Sequence, residues 1–194
     1  MDEEEFDDFY AASFSRLVGQ VHAMVGDRDE AQECVQEAFV RAWSHRAQLD
    51  ALLRATGAFR SDEVDVALEL FDETYGSIAD PGAPADYEFV AAFDEAGSLA
   101  GYCCYGATPG TEGTYDLYWI AVDPAQQGRG VGSALLDEVE RRLGHRQARM
   151  LVVETSGRDE YGATRQFYGA RGYEVTARLR DFYAPADDRV VYTR

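Results

Sequence analysis

A glycine-rich loop, QGRGVG at residues 127–132, lies between an apolar run and a helical pattern. The run, residues 117–122, shows no strict alternation, which predicts a strand buried on both faces. Over residues 131–143 every fourth residue is apolar, which predicts a helix with one buried stripe. Glycines at a helix start let backbone amide groups converge on one point, where the helix dipole also favours negative charge. The sequence therefore predicts a phosphate-binding loop here.

This segment resembles motif A of the GNAT acetyltransferase superfamily, whose signature is Gln or Arg, two residues, Gly, one residue, then Gly or Ala. Gln127, Gly130 and Gly132 fill that signature. A later segment, residues 161–173, resembles motif B, the helix that carries the general acid of the family. The resemblance covers roughly residues 53–194. It implies an α/β (α+β) fold: a mixed, mostly antiparallel sheet with splayed central strands, flanked by helices.

Two features depart from the family pattern. Many members carry Asn seven residues before the motif B tyrosine, where this chain has Tyr161. The usual first strand of the sheet has no convincing counterpart. A dinucleotide-binding loop is the competing interpretation, with Glu154 downstream as its acidic residue. It is disfavoured because five residues separate Val122 from Gly128, whereas the first glycine of such a loop ends its strand.

The resemblance implies that acetyl-CoA is the cosubstrate and that no metal is needed. Its pantetheine arm is expected to pair with the backbone of Ile120, Ala121 and Val122. The diphosphate is expected to lie against the loop and the start of the helix, at Gln127, Gly128, Arg129, Gly130, Val131, Gly132 and Ser133.

Three residues are predicted to take part in catalysis. Tyr168 occupies the position of the family's general acid, and its reference pKa near 10 is close to that of an alkyl thiol. Asp116 directly precedes the buried strand, at the position where some members carry a glutamate base; it could equally anchor a turn. Glu154 is the second candidate for the base. Many members of the family use no dedicated base and accept an amine that is already neutral.

The N-terminal region predicts a helical hairpin. Residues 6–25 and 29–43 show apolar side chains at three- and four-residue steps, with Gly26 ending the first helix and Asp27 capping the second. Residues 6–45 resemble a truncated region 2 of sigma factors, the part that contacts RNA polymerase in that family. The predicted domains are therefore 1–50, the hairpin, and 51–194, the acetyltransferase domain.

Further along, the sequence predicts a short helix over residues 51–56 and a longer one that Ser61 caps and Gly76 ends. A loop is expected around residues 81–84, where two prolines and a glycine occur.

Composition narrows the possible partners. The formal net charge is -18, and every basic residue apart from the three histidines is Arg. Such acidity disfavours binding to nucleic acid or to an anionic membrane and favours a cationic amine. The three cysteines form neither a disulfide framework nor a zinc site, and no segment predicts a signal peptide or membrane span, so a cytoplasmic protein is expected.

The function predicted from these features is transfer of an acetyl group from acetyl-CoA to a primary amine of a small molecule or peptide. The alternative is a transcription-related module that binds RNA polymerase through residues 6–45, with the GNAT domain sensing its cofactor. A homodimer is also possible, because a sheet edge or the face of the hairpin could be left unpaired.

Overall fold

The computed structural model describes residues 3–78 and 86–194, which form one six-stranded sheet and five α-helices. The loop predicted around residues 81–84 lies outside the described residues. The helices are α1 (Glu3–Val25), α2 (Arg28–Thr56), α3 (Ser61–Ile78), α4 (Val131–His145) and α5 (Gly162–Ala170). The strands are β1 (Tyr87–Phe93), β2 (Leu99–Ala107), β3 (Thr114–Val122), β4 (Met150–Ser156), β5 (Glu174–Ala184) and β6 (Asp187–Thr193).

The strand order in the sheet is β1-β2-β3-β4-β6-β5. Four of the five neighbouring pairs are antiparallel, and only β3 and β4 run parallel, because the crossover through α4 joins them. This is the mixed, mostly antiparallel sheet that the sequence predicted. Among the described residues, the first strand in chain order is β1, and it forms one edge of the sheet.

Each face of the sheet packs against its own helices. On the face covered by α4 and α5, called the α4 face, Leu135 and Val139 are fully buried against residues such as Val153. On the opposite face, called the α2 face, the ends of α2 and α3 bury Leu53 and Val64 against β1, β2 and β3. Two apolar clusters of this kind explain why β2, which lies between them, is buried along almost its whole length.

The N-terminal hairpin has a third apolar cluster of its own. The Phe39 ring of α2 lies between aromatic rings of α1, with centroid distances of 4.8 Å to Tyr10 and 5.6 Å to Phe9. Asp27 caps α2 as predicted, because its carboxylate accepts the amides of Asp29 and Glu30 at 2.8 and 3.0 Å. The aromatic side chains of the hairpin therefore pack on each other.

Helix α2 differs from the prediction. It runs without a break from Arg28 to Thr56, so the short helix expected over residues 51–56 is its last part. Its first half belongs to the hairpin and its second half, around Leu53, belongs to the core of the α2 face. The predicted boundary between residues 50 and 51 thus falls inside one helix. Gly57, with a φ of 62°, ends the helix in the left-handed conformation.

Helix α3 also differs in its ends. Ser61, predicted as the cap, is the first helical residue; the Arg60 carbonyl accepts the first helical bond, and the Glu63 carboxylate accepts the Arg60 amide at 2.8 Å. Gly76 does not end the helix, which continues to Ile78, since one glycine costs a helix only about 1 kcal/mol.

Along the described residues, no helix is both long enough and apolar enough to cross a membrane.

Candidate active site

Strands β3 and β4 separate part of the way along their length. They pair only from Thr114 opposite Met150 to Leu117 opposite Val153. Beyond that point β3 continues to Val122 paired with β2 alone, and β4 continues to Ser156 paired with β6 alone. Among the described residues, no strand therefore pairs with residues 118–122 on the side of β4, where the Gln127 side chain donates to the Val122 carbonyl at 3.3 Å. The sequence predicted splayed central strands, and this gap confirms them.

A cleft of about 520 Å³ opens on the α4 face at this gap. It is bounded by the end of β3, the glycine-rich loop, the first turn of α4 and one side of α5. The residues that line it are Ile120, Val122, Gln126, Gln127, Gly128, Gly130, Val131, Gly132, Ser133, Ala163, Thr164 and Phe167.

The glycine-rich loop adopts a conformation that L side chains disfavour. Gly128 and Gly130 have φ angles of 73° and 86°, and a side chain at either would meet no neighbouring atom within 4 Å. Gly130 is the N-cap of α4 and provides no side-chain cap. Within the described part of the chain, the amides of Val131, Gly132 and Ser133 have no recorded hydrogen-bond acceptor. The start of α4 thus presents free N–H groups, and its dipole, to the cleft.

Most of the predicted cofactor-binding residues come together here. Eight of the ten line the cleft, and two do not. Ala121 lies on the α2 face, packed in the cluster that contains Tyr102 and Cys104. Arg129 donates to the Gln126 side chain at 3.2 Å, beside the cleft.

Sequence reasoning missed part of the cleft wall. From the sequence, Phe167 was assigned no role in the cleft, although its ring lines the cleft together with Ala163 and Thr164. The spacing of these three residues on one side of α5 was the available signal. The sequence could not show that this side of the helix faces the loop at Gln126.

Tyr168 is next to the cleft but deeply buried, with 2% of its surface exposed. Its ring packs against Tyr173 and Tyr192, at centroid distances of 5.6 and 5.7 Å. Tyr168 shares the apolar cluster of the α4 face with Cys103, which is the strand partner of Ile120 at the cleft. Burial raises the pKa of Tyr168, so the phenol stays protonated at neutral pH.

Asp116 lies just before the gap between β3 and β4. Because Leu117 points into the core of the α4 face, the side chain of Asp116 lies on the α2 face. Its carboxylate accepts a hydrogen bond from the Thr108 hydroxyl at 2.7 Å. The turn-anchoring alternative is therefore present in the structure, and the second carboxylate oxygen has no recorded partner among the described residues.

Glu154 follows the last paired residue of β4, on the other side of the gap. Its carboxylate forms an ion pair with Arg189, whose guanidinium also lies over the Phe182 ring at 4.8 Å from its centroid. The Glu154 carboxylate is therefore already engaged by a cation, whereas the Asp116 carboxylate keeps one oxygen without a partner among the described residues.

The other charged residues near the cleft hold the chain in place. Arg165 donates to two backbone carbonyls, those of Ser156 and Arg158, at 2.7 and 2.6 Å, and so fixes the loop before α5. At the final hairpin, the Asp181 carboxylate accepts a hydrogen bond from the Ala186 amide.

Among residues 3–78 and 86–194, no group of three or more His, Cys, Asp and Glu side chains is arranged to hold a metal ion.

Two family models match the sequence. The model of the acetyltransferase (GNAT) family matches residues 54–173, and that of sigma-70 region 2 matches residues 9–59. The second match extends beyond the range 6–45 that the sequence resemblance gave. The two matches overlap at residues 54–59, where α2 ends and the turn to α3 begins. No curated protein sequence matches the chain.

Solved structures give the same assignment. A GNAT-family acetyltransferase from Desulfovibrio desulfuricans is 42% identical, with a TM-score of 0.71, and the alignment covers 78% of this chain and 92% of that one. An aminoglycoside 6'-N-acetyltransferase in complex with coenzyme A has the same fold at 19% identity, with a TM-score of 0.57 and coverages of 77% and 89%. The chain therefore belongs to the GNAT family of acetyltransferases.

Proposed function

We propose that this protein is an N-acetyltransferase that transfers the acetyl group of acetyl-CoA to a primary amine in a ternary complex. The observation that carries the proposal is the coincidence of two features at one place. The gap between β3 and β4 opens into the cleft, and the free amides at the start of α4 line the same cleft. One feature suits an extended pantetheine arm and the other suits a diphosphate.

The residues of the cleft fit this cosubstrate. The backbone of Ile120 and Val122 has no strand partner on this side and can form strand-like hydrogen bonds with the amides of a pantetheine chain once the Gln127 side chain releases the Val122 carbonyl. Val131, Gly132 and Ser133 offer amide groups to a diphosphate, and Arg129 lies close enough to add positive charge. This local arrangement is needed because the net charge of -18 opposes an anionic ligand.

The chemistry requires one bond to form and one to break. The lone pair of the amine attacks the thioester carbonyl, the C–N bond forms, and the C–S bond breaks. Acetyl-CoA supplies the activated acyl group. A backbone amide of β3 donates to the carbonyl oxygen as negative charge develops there. Tyr168 gives its phenolic proton to the departing thiolate.

Burial affects both partners of that proton transfer. A phenol with a raised pKa is a weaker acid, which by itself would slow protonation of the thiolate. Burial also raises the pKa of a thiol, as it does for Cys103 to about 12, so a thiolate that departs into the protein is a stronger base than it is in water.

We assign the second proton transfer to Asp116. The cofactor occupies the α4 face, so the amine must approach the gap from the α2 face, where the Asp116 side chain lies. Asp116 removes the ammonium proton, directly or through water, while the Thr108 hydroxyl holds its other oxygen. Glu154 then serves not as the base but as the ion-pair partner that orients Arg189.

The acceptor is a cationic amine in its resting state, consistent with the acidity of the chain. The similar structures include acetyltransferases named for aminoglycosides and for an alanine of ribosomal protein S18. Both carry primary amines.

The three cysteines are free thiols, which fits a reducing compartment such as the cytoplasm.

The proposal is tested by incubating the full chain with acetyl-CoA and one amine at a time: kanamycin, spermidine, or a peptide with N-terminal alanine. Release of thiol above the rate without amine, together with a mass increase of one acetyl group on the amine, supports it. If acetyl-CoA does not bind in calorimetry, the proposal is wrong.

A second function, binding of RNA polymerase, is favoured by the match of residues 9–59 to sigma-70 region 2. The aromatic rings of the hairpin pack on each other, so a polymerase would have to use exposed α2 residues such as Val40 and Arg41. The test is retention of purified core polymerase by the immobilised full chain. Val40→Glu should abolish it while leaving acetyl-CoA binding intact; no retention by the wild-type chain would exclude this function.

A further inference from the structure

One side-chain hydrogen bond joins two distant loops of this chain. The Tyr161 hydroxyl donates to the backbone carbonyl of Ala58 at 2.9 Å. Ala58 lies in the turn between α2 and α3, and its amide donates to the Thr56 hydroxyl at 3.2 Å. The turn is therefore held at Ala58 from both sides. Tyr161 is also the position at which this chain departs from the Asn of many GNAT members.

The loop that carries Tyr161 is fixed to α5. Arg165, on α5, donates to the carbonyls of Ser156 and Arg158, at 2.7 and 2.6 Å. The Arg158 guanidinium lies over the Tyr161 ring, 5.7 Å from its centroid. Three other residues of α5 line the cleft: Ala163, Thr164 and Phe167. A continuous set of contacts thus connects the wall of the cleft to the turn between α2 and α3.

The cleft wall and the turn between α2 and α3 lie on opposite faces of the sheet. The cleft opens on the α4 face, whereas Phe59 of the turn packs against the cluster of the α2 face. We infer that Tyr161 is a positioning residue that holds the turn between α2 and α3 against α5, so that filling the cofactor cleft also orders the rim on the amine side. This inference rests on the proposed function, which assigns the two faces to the two substrates.

The test is hydrogen–deuterium exchange of the full chain, with and without acetyl-CoA. Peptides covering residues 53–62 report the turn, and peptides covering 162–170 report α5. In the wild-type chain we expect acetyl-CoA to slow exchange in both. In Tyr161→Phe, exchange at the turn should be about fivefold faster, as expected for loss of one hydrogen bond, and acetyl-CoA should protect α5 only.

Three further measurements distinguish positioning from a merely structural role. Tyr161→Phe should raise KM for the amine about fivefold while KM for acetyl-CoA stays within twofold, because the Arg165 contacts remain. Tyr161→Asn, which is too short to reach Ala58, should behave like Tyr161→Phe. Tyr10→Phe, which removes a hydroxyl from the hairpin, is the control and should change neither KM.

Equal exchange at residues 53–62 in the wild-type and Tyr161→Phe chains would overturn the inference. So would a rise in both KM values together, which indicates general loosening of the fold. If the wild-type chain does not bind acetyl-CoA, the proposed function fails, but the exchange difference between the ligand-free chains still decides whether Tyr161 holds the turn.

Discussion

The most direct test of the cofactor site is a single negative charge placed at the start of α4. Gly130 is the N-cap of α4, and its substituent would meet no atom within 4 Å. Gly130→Glu and Gly130→Gln share the same strain, because both force a side chain to a φ of 86°. The difference between the two variants therefore isolates the charge.

The size of the effect follows from Coulomb's law. A carboxylate about 6 Å from a diphosphate that carries about two negative charges costs roughly 1.4 kcal/mol at the dielectric constant of water. That energy corresponds to about a tenfold weaker affinity, and a lower local dielectric constant would increase it. We expect Gly130→Glu to bind acetyl-CoA at least tenfold more weakly than Gly130→Gln in calorimetry at low salt. Higher salt should reduce the difference.

Gly144 provides the matched control. It lies near the other end of α4, about 21 Å away at 1.5 Å per residue, and a side chain there meets no atom within 4 Å. Gly144→Glu adds the same net charge more than three times farther from the loop, where Coulomb's law in water leaves about 0.4 kcal/mol, so its affinity should lie within about twofold of that of Gly144→Gln. Equal affinities of Gly130→Glu and Gly130→Gln would refute the assignment of the diphosphate to this loop.

Three other predictions concern the acid, the thiols and one ion pair. Tyr168→Phe should lower kcat by about 100-fold or more in steady-state kinetics, with acetyl-CoA affinity unchanged because the ring packing is kept; a rate within twofold of wild type would contradict its role. In the native protein a thiol reagent should modify Cys34 alone, because burial raises the pKa of Cys103 and Cys104 to about 12; faster loss of a second thiol would contradict this. Burial alone would raise the pKa of Glu88, but hydrogen bonds from Arg146 and Tyr105 outweigh it and hold that pKa below its ordinary value of 4.5. The stability that Glu88 contributes is therefore present above pH 4.5 and lost as the pH falls through its folded pKa. Glu88→Gln should lower the free energy of unfolding in urea by about 1 kcal/mol at pH 7 and by less at pH 3; a constant difference would count against the ion pair.

Most residues that line the cleft could be predicted to lie together because the determinants of this arrangement are local in sequence. The glycines of residues 127–132 fix both the turn and the helix start, and the apolar run before them fixes the strand. Ala121 and Arg129 were the exceptions. A β-bulge between Leu117 and Trp119 shifts the alternation of β3 and places Ala121 on the α2 face, and the Arg129 side chain bonds to Gln126 instead of lining the cleft. Neither contact follows from spacing alone.

The length of α2 was mispredicted for a different reason. No glycine or proline occurs between residues 28 and 56, so nothing in the sequence breaks the helix. The boundary at residue 50 followed from two family resemblances that meet there, and a resemblance reports ancestry, not the course of the backbone. The contact between Tyr161 and Ala58 could not be predicted from the sequence, because it depends on how tertiary packing brings two distant loops together.

The continuity of α2 fixes the rotational phase of the hairpin relative to the catalytic core. In an α-helix each inserted residue turns everything beyond it by about 100° and advances it by 1.5 Å. A single insertion between Phe39 and Leu53 would therefore swing α1 to another side of the molecule, whereas seven residues would nearly restore its heading. Any junction between these segments must therefore keep the hairpin at a compatible rotation about the helix axis. Insertions of chosen length in α2 would turn the hairpin by a calculable angle.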